Sequence, residues 1–283
     1  MICGMDGVKV AVAVRRSLLR RAWGRVGRRV DGRAPLWIEL AIVVWLFWLY
    51  DVINNLAPIR HALAISNAVG VLHFERSLGL DPELAINRWL GAHATLAMIA
   101  SYDYFFAHAV VTFTVLVLVW RRVPERYIRL RTLLVIINLI AFAVFWRYPL
   151  APPRLFPGLG YIDVVARAHA LVSWHSGVLV HDADQFAAMP SLHVAWAIWS
   201  AIGIWHLTRR AVIRALAAAY PILTCFVVLG TGNHYLLDVL AGAGTVGLAF
   251  AVQQAFIRLL ALRRRRRGTA AHEHAVRGVP AQP

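Results

Sequence analysis

The chain has 283 residues, is 60% hydrophobic and carries a formal net charge of +16. Its charge is gathered into short arginine runs between long apolar stretches, which excludes an ordinary soluble globule, where polar residues are spread over the whole surface. A nucleic-acid surface is excluded too, since that needs basic residues interleaved along one face, and the two cysteines, Cys3 and Cys225, leave no disulfide framework or cysteine-based metal site.

Residues 1–35 form a basic arm with Arg15, Arg16, Arg20, Arg21, Arg25, Arg28, Arg29 and Arg33. The arm is longer than the leading segment of a cleaved signal and the apolar run after it is full-length, so the first span reads as a retained signal anchor. A helix needs roughly 20 apolar residues to cross the hydrocarbon core. Stretches near 36–57, 95–119, 128–147, 190–207, 211–230 and 234–257 approach that length. The pattern predicts an all-α, polytopic membrane bundle of about six transmembrane helices over residues 36–258. Residues 56–96 hold weaker amphipathic pieces, expected to lie at the membrane interface. Residues 259–283 are expected to form a basic, disordered cytoplasmic tail in which His272 and His274 are solvated.

Arginine placement sets the expected topology. The N-terminal arm, the hairpin with Arg121, Arg122, Arg126, Arg129 and Arg131, the hairpin with Arg209, Arg210 and Arg214, and the run Arg263–Arg267 all fall on one side of six crossings. Positive charge near span ends marks the cytoplasmic side. Both termini are therefore expected in the cytoplasm, with the plasma membrane as the location. The connections 58–94, 148–189 and the turn at 230–233 then face outward.

Three outward segments put ionisable residues at span ends, where burial is costly. In Arg147-Tyr-Pro-Leu-Ala-Pro-Pro-Arg154 the prolines end the third span and stiffen the chain between two guanidinium groups, which suit bidentate phosphate binding. In Met189-Pro-Ser-Leu-His-Val194, Pro190 fits a first helical turn whose free N–H groups attract an anion, Ser191 adds a hydroxyl, and His193 can protonate a leaving alkoxide. In Asn233-His-Tyr-Leu-Leu-Asp238, His234 and Asp238 are four apart on one helix face, so the carboxylate can hold one ring nitrogen and leave the other as a nucleophile toward phosphorus. Clamp, acid and nucleophile together predict a phosphate-handling site.

These segments resemble the three-part signature of the type 2 phosphatidic acid phosphatase superfamily over about residues 95–258. The resemblance implies that Arg147, Arg154 and Ser191 bind phosphate, that His193 is the general acid, that His234 supported by Asp238 is the nucleophile, and that no metal or other cofactor is used. Arg147 stands where lysine is usual, Leu155 where proline is common and Leu192 where the signature has glycine. The Pro-Ser-Leu-His form is similar to the inositol-phosphorylceramide synthase branch, which transfers head groups. Val228 stands where an arginine is expected, which favours transfer or phosphodiester chemistry over simple monoester hydrolysis. The implied partners are a membrane lipid substrate and, for transfer, an alcohol acceptor lipid.

Asp163, His169, His175, His181, Asp182 and Asp184 show no compact metal-ligand spacing and are expected to cap short helices or shape the substrate mouth. Tyr102, Asp103, Tyr104 and His108, near the outer end of the second span, are expected to pair within the bundle, with head-group recognition as the sharper alternative. The tryptophans are expected as interfacial anchors or packing. Two non-enzymatic readings stand beside the enzyme: a lipid-phosphate transporter, in which the clamp binds without reacting, and an inactive scaffold, for which Val228 argues. Charge at span ends, not at the midplane, favours surface chemistry.

Overall fold

In the computed structural model, residues 35–56, 60–168 and 186–277 are described. They form α1 (Leu36–Leu56), α2 (His61–Ser77), α3 (Glu83–Gly91), α4 (Ala94–Arg122), α5 (Pro124–Arg147), α6 (Leu192–Leu207), α7 (Ala211–Gly230) and α8 (Leu236–Arg277). The fold is an all-α polytopic bundle. By length and composition α1, α4, α5, α7 and the first part of α8 can each cross a membrane, and α6 is the sixth, shorter apolar helix. With its 16 residues α6 is about 24 Å long, short of a hydrocarbon core about 30 Å thick. Ser191, just ahead of its first turn, is fully buried within the protein.

The expected amphipathic pieces between the first two spans are α2 and α3, which turn inward. Ala64, Ala68, Val71 and Leu72 of α2 pack with Leu150, Ala151, Phe186 and Tyr235 from the connections that follow α5 and α7. α8 does not stop where the apolar run ends. It continues to Arg277, so the tail expected to be disordered is helical over its described part; an arginine- and alanine-rich run has good helix propensity once a long helix has nucleated it.

The main core joins α4, α5, α6 and α8. Trp199 of α6 lies at its centre, with no exposed surface and its Nε1–H donated to the carbonyl of Leu130 at 2.8 Å. Trp37, Trp45, Trp48 and Trp205 face outward, as anchors would. The connections at the two ends separate cleanly. Arg126 pairs with His206, and Gln253 donates to the carbonyl of Arg129, at the end where the basic hairpins lie. At the other end, Arg154 N–H donates to Gly232 O at 2.8 Å and Ser191 N–H to Asp238 O at 3.0 Å. The three segments singled out in the sequence thus meet at one end of the bundle.

Candidate active site

That end is held by buried amide chemistry. Asn87 of α3 donates to the carbonyls of Ile162 and Gly230, both at 2.9 Å, and accepts the Ile162 N–H at 2.8 Å. It ties the segment after α5 to the turn between α7 and α8. Gly232 sits in that turn with φ +75°, and a Cβ there would stand 3.0 Å from both Ile162 O and Asn87 Nδ2. Only glycine suits both the left-handed backbone and the close approach. Gly242, one turn beyond Asp238, plays a related part, since a Cβ on it would meet Ser191 O at 2.5 Å.

Asp238 lies in the first turn of α8, and His234 stands two residues ahead of that helix, in the turn that leads into it. His234 Nδ1 lies 3.4 Å from Asp238 Oδ2, long for a hydrogen bond, and the same oxygen accepts the Tyr235 N–H at 2.9 Å. Asp238 is fully buried and His234 nearly so. With Nδ1 turned to the carboxylate, Nε2 is the nitrogen left to react.

His193, in the first turn of α6, faces His234 with ring centroids 5.9 Å apart. Its ring stacks on Tyr104 at 4.3 Å, and Nε2 donates to the Tyr104 carbonyl at 3.1 Å. Tyr104 belongs to a π-helical turn, Asp103–Ala107, inside α4. This wide turn carries a carbonyl that takes hydrogen bonds from both His193 and, at 2.9 Å, His108 Nδ1. Of the polar cluster expected to pair inside the bundle, Tyr104 and His108 therefore meet the site, through His193. Ser191 Oγ is buried and makes no hydrogen bond among the described residues.

Arg154 is almost wholly buried; its guanidinium donates to Asn233 Oδ1, and its Nε lies 3.8 Å from Asp163 Oδ2. Asp163 also caps the helical turn Val164–Arg167 through Oδ1, which accepts the Ala166 N–H at 2.9 Å, as expected for an aspartate in this connection. His169, His175, His181, Asp182 and Asp184 lie outside the described residues.

Arg147 stands apart from this group. It is exposed at the end of α5 and does not line the cavity that Arg154, His193 and His234 share. At 100° per residue it is turned about 200° from Phe145, which does line that cavity, so one side chain faces inward and the other outward. Val228, at the position of the expected arginine, has no exposed surface and packs with Leu90, Val164, Val194 and Val227. It serves the core. Asn87 is the site residue that no motif singled out; Asn233 stood beside His234 and Tyr104 in the polar cluster of the second span, so both had a local signal.

Behind the site, Glu75 accepts the Leu237 N–H at the start of α8, and Glu83 accepts the Tyr161 hydroxyl at 3.3 Å. Burial pushes the Glu75 carboxyl up to about 8, with neighbouring Glu83 and Asp238 adding to the rise. The Tyr235 hydroxyl is also raised, chiefly by burial.

No curated protein and no solved structure matches the chain. Residues 69–252, more than half of the chain, match the PAP2 superfamily. The matched region starts ahead of the 95–258 stretch that the motifs delimit, taking in part of α2 and all of α3, whose Glu75 and Asn87 bond to the site's own segments. A region of that extent, with the histidine, serine and arginine segments gathered at one end of the bundle, establishes that the chain belongs to the PAP2 superfamily.

Proposed function

We propose that the chain is a membrane phosphatase or phosphotransferase that works on a lipid-linked phosphate at the extracytoplasmic face through a phosphohistidine on His234. The observation that carries this reading is the convergence of Arg154, His193 and His234, from three separate segments, on one cavity. Superfamily membership supports phosphatase-type chemistry. Arg154 and the first-turn N–H groups of α6, with Ser191 Oγ, hold the phosphate oxygens. Asp238 orients His234 so that Nε2 bonds to phosphorus as the bond to the leaving alkoxide breaks. His193 delivers a proton to that oxygen. Water or an acceptor alcohol then attacks phosphorus, gives its proton to His193, and frees His234.

Hydrolysis and transfer share the first step and differ in the acceptor. Head-group transfer of the inositol-phosphorylceramide synthase type is the second reading, favoured by the apolar Val228 where a further phosphate-binding arginine is expected. The test uses purified protein in lipid vesicles with a phosphate-labelled phospholipid, with and without a candidate alcohol lipid. The enzyme reading expects free phosphate or a new phosphodiester, together with an acid-labile labelled protein that His234→Ala abolishes. A non-enzymatic transporter would move lipid between leaflets without either product, and an inactive scaffold would do neither.

A further inference from the structure

The cavity that holds His193 and His234 does not end at the site. It is a single space of about 340 Å³ whose walls continue between α1, α4 and α5 as Leu46, Phe47, Phe113, Leu116, Val135 and Phe142, down to Glu39 and Arg131. From Phe145 beside the site to Arg131, α5 rises by about 21 Å, more than half of a hydrocarbon core about 30 Å thick. The far end is polar and paired. Arg131 Nη1 lies 3.2 Å from Glu39 Oε1, and the Tyr127 hydroxyl donates to Glu39 Oε2 at 2.8 Å. One wall, α1, lies outside the matched residues 69–252.

Resting on the reading above, we propose that the substrate's hydrocarbon tail lies in this groove, with α1 as its wall and the Glu39–Arg131 pair as its floor, so that the enzyme selects by chain length. A bilayer is as apolar as the groove, so burying a tail there gains little transfer free energy, and selectivity must come from exclusion. A tail that fits meets Leu116 and Val135. A longer one meets a largely buried ion pair that it could pass only by separating the two charges, which is costly. The occupant is a single chain long enough to pass the bilayer midplane.

The test compares octyl and hexadecyl phosphates, presented in the same detergent, as substrates of the full chain and of Val135→Trp, which fills the groove about 15 Å below Phe145. The proposal expects the hexadecyl-to-octyl turnover ratio to fall about tenfold or more in the variant. The double variant Glu39→Leu with Arg131→Met, which removes both charges together, should raise turnover of chains longer than the wild-type limit. An unchanged ratio in Val135→Trp overturns the groove as the tail site. Binding of the matching alkyl phosphonates, followed by native mass spectrometry, separates the two readings. Loss of hexadecyl binding relative to octyl binding in Val135→Trp, without turnover by any form, keeps the groove and sinks the enzyme; equal binding with turnover present does the reverse.

Discussion

The ring of His193 lies on the ring of Tyr104, and its Nε2 bonds to that residue's own backbone carbonyl at 3.1 Å. A carbonyl can only accept, so Nε2 carries the proton in the neutral ring, and Nδ1 is the nitrogen left to exchange one with a substrate oxygen. The relationship ties His193 in α6 to a π-helical turn in α4. It also gives the two histidines different tests.

If His193 protonates the leaving oxygen, a substrate whose leaving group needs no proton should bypass it. His193→Ala is expected to lower turnover of an alkyl phosphate by roughly 10²–10⁴-fold, and that of a nitrophenyl phosphate far less. His234→Ala should abolish both. Measuring the two substrates side by side checks this, and equal losses in both variants would remove the acid role.

Arg154 is positioned by Asn233, so a change at Asn233 should be felt through the arginine. Asn233→Ala is expected to lower kcat/KM by about 10- to 100-fold, the cost of removing one hydrogen bond from a buried charged donor. Arg154→Lys should do at least as much, because lysine cannot reproduce the planar fork. Arg147→Ala, by contrast, is expected to change kcat/KM less than about threefold, as for an exposed anchor at a span end. Steady-state kinetics on the three variants decide whether one arginine or two hold the phosphate.

Gly232 joins the turn between α7 and α8 to the segment bearing Arg154 and Asp163. Gly232→Ala would carry a Cβ into the left-handed region and against a backbone carbonyl. We expect a loss of about 1–3 kcal/mol in stability, visible as a lower thermal midpoint in detergent, with activity falling in parallel. A variant as stable as the parent would show that this turn can open without cost.

Glu75 supplies the pH prediction. Its carboxyl is raised from an ordinary value of 4.5 to about 8, so between those values the folded chain holds a proton that the unfolded chain has lost. Stability from this group is therefore greatest below about pH 4.5, declines as pH rises and is fully spent above about pH 8. Glu75→Gln, which keeps the shape of the protonated carboxyl, is expected to flatten the fall in thermal midpoint between pH 6 and 9 and to be the more stable form at the alkaline end, whatever its activity. Identical pH profiles for the two proteins would contradict a protonated Glu75.

Much of this protein was legible without coordinates. Apolar length alone predicted the membrane helices, five of them long enough to cross and a sixth, α6, shorter, because a bilayer demands continuous apolar runs of a definite length. The four-residue spacing rightly paired His234 with Asp238, although the helix begins only at Leu236 and His234 reaches the carboxylate from the turn before it; the motif order predicted that the arginine, serine–histidine and histidine–aspartate segments would meet. Tertiary structure decided what spacing cannot carry. Arg147 and Arg154 look equivalent along the chain, yet a helix end rotates one outward while a buried asparagine and aspartate draw the other in. Asn87 and Glu75 sit in α3 and α2, read from composition as interfacial pieces, and reach the site only through contacts with residues 75 to 162 positions away. The groove wall from α1 and its Glu39–Arg131 floor join residues 92 apart. Periodicity records which face of an element is apolar; which neighbour that face meets is settled by packing, and there the site acquires its depth.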